Sequence, residues 1–166
     1  AELAIKYQSQ VIIKERSLVN KLNKILVPTD CSDHSRIGIK YALELASRGS
    51  VEVKLLYILE YSNYPEENSS EKDAGRKWKE KAQDKLEQFW RSFSNRRTCE
   101  LEVREGDVVS EVINVAKLEG IDLIVMSSHG YKGLMYSMKG SSTEKITRYA
   151  PCPVLCVKNE GHQFIH

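Results

Sequence analysis

Residues Cys99–Met126, CELEVREGDVVSEVINVAKLEGIDLIVM, decide the fold. Cys99–Arg104 alternates apolar and polar side chains, the pattern of a strand buried on one face. Asp107 is an N-cap residue type placed just ahead of Val109, Val112, Ile113 and Ala116. Those four share one helical face, and Gly120 follows as a stop. Ile121–Met126 is then a nearly continuous apolar strand. Strand, helix and strand in one short stretch make a βαβ unit, whose strands lie parallel and whose crossover is right-handed.

The same alternation extends in both directions. Upstream, Lys24–Thr29 (KILVPT) is a short apolar run that ends in turn chemistry, Asp30-Cys31-Ser32-Asp33. Ile39, Ala42, Leu43 and Ala46 follow at i, i+3, i+4 and i+7, and Gly49 closes that helix. Val51–Leu59 (VEVKLLYIL) is a second strand. Residues 60–72 form a long polar loop, and Trp78, Ala82, Leu86, Phe89 and Phe93 then make an apolar helical stripe of core-packing type. Downstream, Ser141–Ala150 is a fourth helix stopped by Pro151, and Val154–Val157 is the last strand. The class is α/β, a doubly wound, open, twisted, parallel sheet of five strands with helices on both faces. The last strand falls at a sheet edge, where an apolar row must be covered or paired.

Composition fits this class. The chain has 166 residues, 41% hydrophobic and 29% charged, enough to bury a core without a metal or disulfide staple. Net charge is +2, so nothing in the composition calls for nucleic acid or an anionic membrane. No run approaches about 18 apolar residues, and no membrane span is expected. Residues 1–23 carry no signal-peptide pattern and no clean period. This N-terminal extension is expected to dock on the domain as a short helix or strand. The domain itself is read as residues 24–158, and 159–166 as a tail.

Cys31, Cys99, Cys152 and Cys156 make no CxxC pair and no zinc spacing with the histidines. Read as one strand, Cys152 and Cys156 lie on one face about 13 Å apart, too far to bridge. Reduced thiols in a cytoplasmic protein are expected.

In a sheet of this kind ligands bind beyond the carboxyl ends of the strands, where the strand order reverses. The site is therefore expected after the first and fourth strands. The segment after the fourth carries Gly130 and Gly133, which allow close backbone approach. Gly140-Ser141-Ser142-Thr143 opens a helix, whose free N–H groups suit an anion. Ser141 with Glu144 fits an ordinary capping box equally well.

Three motifs together resemble the universal stress protein family. They are Val27-Pro28-Thr29-Asp30, Ser127-x2-Gly130-x9-Gly140-Ser141, and the ending Ala150-Pro151-Cys152-Pro153-Val154-Leu155. The nucleotide-binding subset of that family has glycine where Ser127 stands. The resemblance implies ATP, ADP or AMP between the first and fourth strands, and Mg²⁺ is expected with a polyphosphate because it binds through carboxylates and phosphate oxygens. Thr29 and Asp30 would meet adenine and ribose, and Ile58 and Met126 would give apolar contact to the base. Ser127, His129 and Gly130 would line the ribose–phosphate path. Gly140, Ser141, Ser142 and Thr143 would hold the phosphates. It also implies a homodimer through the last strand, Pro153–Lys158.

No acid–base pair or nucleophile triad is visible, so the reading is a stress-response or regulatory module that binds nucleotide. Two alternatives stand beside it. One is a nucleotide-independent dimerisation or adaptor domain, such as the cytosolic part of a transporter. The other is a weak ATPase or nucleotidyl transferase.

Overall fold

The chain enters the sheet where Asp122 takes hold of it. Asp122 Oδ2 accepts the backbone N–H groups of Asn23 at 2.8 Å and Lys24 at 3.0 Å. In the computed structural model, which describes residues 22–60, 71–93, 98–127 and 142–157, strands and helices then alternate without exception. They are β1 (Lys24–Thr29), α1 (Ser35–Ser47), β2 (Glu52–Leu59), α2 (Glu71–Arg91), β3 (Cys99–Glu105), α3 (Val108–Leu118), β4 (Leu123–Ser127), α4 (Ser142–Tyr149) and β5 (Val154–Val157). Of the expected extension only residues 22 and 23 are described, and the tail lies outside the described residues.

All five strands are parallel, in the order β3-β2-β1-β4-β5. The order reverses between β1 and β4, and β5 is an edge as expected. Side chains alternate faces along each strand. Ile25, Val27, Val53, Leu55 and Val125 pack under α1 and α2, against Ile39, Ala42, Leu86 and Phe89. Leu26, Leu56, Ile124 and Met126 pack under α3 and α4, against Val112, Val115, Ala116 and Ile146. Both faces of the inner strands β1, β2 and β4 are covered, so they read as mainly apolar runs, while the edge strand β3 alternates.

The helix ends follow ordinary capping chemistry. Asp107 caps α3, accepting from the Ser110 N–H at 2.9 Å and the Ser110 hydroxyl at 2.7 Å. Those bonds to the charged form hold its carboxyl below the usual range. Gly120 takes the left-handed conformation, φ +63°, that ends α3. Gly49 also follows a helix but has no such φ; Arg48, still right-handed, is the C-cap of α1. Several expected bounds move by a residue or two: β2 starts at Glu52, α2 starts at Glu71 inside the expected loop 60–72, β3 runs on to Glu105, β4 runs on to Ser127 and α4 ends at Tyr149. Ile121 is outside β4, because its N–H closes on Ala116 at the end of α3. Phe93 lies past the end of α2, in a final turn bonded to Trp90. Cys152 sits in a bend before β5, so the same-face geometry expected of it with Cys156 does not apply; all four cysteines are free.

One buried charge shapes the α3 face. Lys54, in β2, is 6% exposed. Its ammonium lies 2.9 Å from both Glu100 and Glu102 of β3 and also pairs with Glu119 at the end of α3. Arg104 joins the network through Glu102 at 2.7 Å, with Glu111 and Glu119 at 3.6 Å. Burial pushes the Lys54 ammonium toward its neutral form, but the bonds to Glu119, Glu100 and Glu102 outweigh it and hold it above its ordinary value. Burial likewise raises Glu102, and the bonds from Arg104 and Lys54 prevail and lower it.

Removing Lys54 takes the shared cation from Glu100, Glu102 and Glu119. All three are partly exposed, and two of them keep Arg104. The cost is therefore about 1–3 kcal/mol, the scale of lost hydrogen bonds to a charged group. Lys54→Met is therefore expected to lose about that much stability in urea unfolding at pH 7. Glu102 titrates lower in the folded state than its ordinary 4.5. Its pairing therefore stabilises fully above that pH and fades as pH falls through the lowered value. The gap between the variant and the parent should shrink over that acid range.

Candidate functional site

β1 and β4 are neighbours, yet they pair only briefly. Their register runs through Ile25↔Leu123 and Leu26↔Ile124. By contrast β1 pairs with β2 up to Thr29, and β4 with β5 up to Ser127. Pro28 supplies the reason. It has no N–H to give, and the β1–β2 ladder continues past it without one, so the missing donor is on the β4 side. Past that point no pairing joins the two central strands up to their carboxyl ends. This is the reversal of strand order, where a sheet of this kind is expected to hold its ligand crevice.

Thr29 and Asp30 stand on the β1 side of this crevice. Thr29 is buried, and its hydroxyl donates to Ser35 Oγ at 2.9 Å while accepting the Cys31 N–H at 3.0 Å. Ser35 in turn donates through its hydroxyl to the Ser32 carbonyl at 2.7 Å. Asp30 is exposed, and its Oδ1 accepts the Ser32 N–H at 3.0 Å. It thus closes an Asx turn rather than capping α1, whose N-cap is His34. Cys31 between them has φ +60°, a left-handed conformation unusual for a side-chain-bearing residue. Burial pushes its thiol up to about 11, with Lys85 pulling the other way. This is a protonated thiol at neutral pH, and the poorer nucleophile for it.

Met126, from β4, is buried in the α3-side cluster, and Ile58, from the end of β2, packs against that same cluster. The structure therefore brings Ile58 and Met126 to one apolar floor and sets Asp30 at the adjoining strand end. Ser127 is the last residue of β4 and half-buried. Ser142 and Thr143 open α4, exposed and half-buried respectively, and the Thr143 carbonyl accepts the Thr147 hydroxyl at 2.7 Å. The expected site residues His129, Gly130, Gly140 and Ser141 lie outside the described residues, as does the serine of the capping box.

Two contributors escaped the sequence reading. Gly38, in α1, lets that helix lie directly on the end of β4. A methyl group there would sit 3.1 Å from the Ser127 nitrogen and 3.3 Å from the Met126 carbonyl carbon. Lys85, in α2, reaches the Asp30 carbonyl at 3.2 Å. A helical glycine and an exposed helical lysine carry no local signature of such roles. A cavity of about 680 Å³ also opens in the molecule, but at the opposite end of the sheet, lined by Lys24, Val51, Lys54, Glu100 and Ile121. It owes its walls to the α1–β2 connection and the Lys54 network, away from the switch point.

The universal stress protein family model matches residues 21–158. The universal stress protein MJ0531 of Methanocaldococcus jannaschii is 32% identical over 94% of this chain and 93% of its own length. The solved structure of MJ0577, a universal stress protein of the same organism, superposes with a TM-score of 0.69 at 28% identity, covering 84% of this chain and 98% of that one. The chain belongs to the universal stress protein family. More distant structures share the fold. One is a universal stress protein in complex with cAMP, at 17% identity and TM-score 0.58, covering 84% of this chain and 98% of that one. Another is a family member from Arabidopsis thaliana with AMP bound, at 16% identity and TM-score 0.52, covering 84% and 93%.

Gly38→Ala tests the approach of α1 to β4. The neighbouring atoms are backbone and have little room to give, so the added methyl overpacks the contact. A loss of about 1–3 kcal/mol is expected in denaturant unfolding. A neutral result would mean that the overpacking costs no more than the roughly 1 kcal/mol that alanine gains over glycine inside a helix.

Proposed function

We propose that the protein binds an adenine nucleotide, ATP or its ADP and AMP relatives, in the crevice between β1 and β4, and acts as a stress-response or regulatory module. The observation that carries this reading is the end of pairing between those strands at Pro28, with Thr29 and Asp30 on one side and Ile58 and Met126 on an apolar floor. An apolar floor suits a base and an exposed carboxylate suits ribose hydroxyls, which donate to it. The AMP and cAMP held by two structural neighbours support the same ligand class. Ser127, His129 and Gly130 are assigned to the ribose–phosphate path. Gly140, Ser141, Ser142 and Thr143 are assigned to the phosphates, at the N-terminal end of α4 where N–H groups and the helix dipole favour an anion.

Among the described residues no three His, Cys, Asp or Glu side chains gather as a metal site. Mg²⁺ would enter with a polyphosphate, held largely by phosphate oxygens and water as this ion usually is. The reading includes a homodimer through β5. That strand is a sheet edge whose Leu155 is 37% exposed, and pairing with a second copy across a two-fold axis would cover it. Four free thiols suit the reducing cytoplasm, the setting adopted for this reading.

The test is calorimetric titration of nucleotide-stripped protein with Mg-ATP, ADP and AMP. Saturable binding near one per chain is expected, along with a rise in melting temperature. Asp30→Ala should weaken it about tenfold to a hundredfold, the range for losing a hydrogen bond to a charged group. No heat and no thermal shift with any of the three would overturn the reading and favour the nucleotide-independent dimerising module.

A further inference from the structure

We propose that Lys85, on α2, is a positioning residue for this site: it holds the β1–α1 turn from outside and so aims the Asp30 carboxylate. The inference rests on the nucleotide reading of the crevice. It begins from a turn that needs holding. Cys31 keeps a left-handed conformation that L side chains rarely adopt, so the turn persists only if its surroundings fix it. Bonds inside the turn fix part of it: Thr29 Oγ1 accepts the Cys31 N–H, and Asp30 Oδ1 accepts the Ser32 N–H. Neither engages the Asp30 carbonyl, the group just before the left-handed residue.

Lys85 does. Its ammonium donates to the Asp30 carbonyl at 3.2 Å and to the Tyr57 hydroxyl at 3.3 Å, and stands 4.8 Å from the centre of the Tyr57 ring. Tyr57 is the register partner of Thr29 across β1 and β2. One ammonium therefore ties α2, the end of β2 and the β1–α1 turn together. The aromatic ring and its hydroxyl seat the cation, which limits where the long side chain can wander. With the carbonyl held and Oδ1 used inside the turn, Asp30 Oδ2 has no partner among the described residues and is the oxygen available to a hydroxyl-bearing ligand.

Cys31 reports on the turn independently of any ligand, and it separates two roles for Lys85 by sign. As a nearby positive charge, Lys85 favours the thiolate; losing it would leave the half-buried thiol harder to ionise and slower to alkylate. As a clamp, Lys85 keeps the turn closed. Losing it would expose the thiol, relieve the burial that suppresses ionisation, and speed alkylation.

The experiment uses the full chain and the variants Lys85→Met, which keeps the stem but not the charge, and Lys85→Arg, which keeps a cation. Iodoacetamide modification of ligand-free protein is followed peptide by peptide, with Cys152, in the bend ahead of β5, as internal reference. Mg-ATP titrations run alongside. Lys85→Met is expected to speed Cys31 modification about fivefold, leave Cys152 unchanged and weaken ATP about fivefold, the scale of one hydrogen bond. Lys85→Arg should restore both to within about twofold. A slowed or unchanged Cys31 rate in Lys85→Met overturns the proposal. So does a faster rate with unaltered ATP affinity. If the parent protein binds no adenine nucleotide, the reading of the crevice fails by itself, and the Cys31 rates still decide whether Lys85 holds the turn.

Discussion

The carboxyl end of the sheet depends on one missing donor. A central strand of a parallel sheet ordinarily spends its N–H groups on both neighbours. At Pro28, β1 has none to spend toward β4, and the ladder between the two stops at Leu26↔Ile124. Proline inside a strand usually marks an edge or a bulge. Here it marks the place where pairing between two central strands ends. Because the β2 side of β1 stays paired through Thr29, the strand itself remains anchored. The crevice is therefore a feature of a rigid frame, which suits a site whose groups must be held in place.

Unpaired strand ends would be of little use if the strands could drift, and α1 prevents that. Gly38 lets the helix lie against the backbone of Met126 and Ser127. The same helix begins at Ser35, which Thr29 bonds through its hydroxyl. So α1 grips β1 by a hydroxyl pair and β4 by backbone contact, spanning the stretch the proline leaves unpaired. Thr29 and Ser35, both buried, satisfy each other there, as buried polar groups must.

Local patterns carried most of the fold. The ends of β1 and β5 fall where an apolar run meets turn residues, and the stripe from Ala82 to Phe89 is buried as its helical spacing implies. Asp107 and Gly120 bound α3 through local capping alone. Among the candidate site residues, Ile58 and Met126 could be placed near strand ends from the apolar runs alone, while their role toward a base rests on the family resemblance. What stayed hidden was set by register or by contact between distant segments. Lys54 looks like a polar interruption of an apolar strand until β3 places Glu100 and Glu102 beside it. Lys85 lies 55 residues from Asp30, and no period or spacing joins them. The left-handed Cys31 was equally invisible, since its conformation comes from the hydroxyl and carboxylate bonds around it rather than from its own preference.

These long-range groups divide the molecule by height. The dense ion network of Lys54, Arg104 and their glutamates sits at the outer sheet edge under α3, where β2 and β3 pair along seven register positions from Val53 to Leu59. Its partners are spent on one another, so it fixes structure and leaves little charge for a ligand. At the carboxyl end of β1 the pattern is the reverse. The pairing thins, a turn is held in a costly conformation, and an exposed carboxylate is only half engaged. Strain and unspent polar capacity collect at the proposed site, and the well-paired strands beneath supply the stability that such a turn does not. An ammonium arriving from α2 is then a direct way to fix the turn without filling the crevice, because Lys85 acts on the Asp30 carbonyl and leaves one carboxylate oxygen unused.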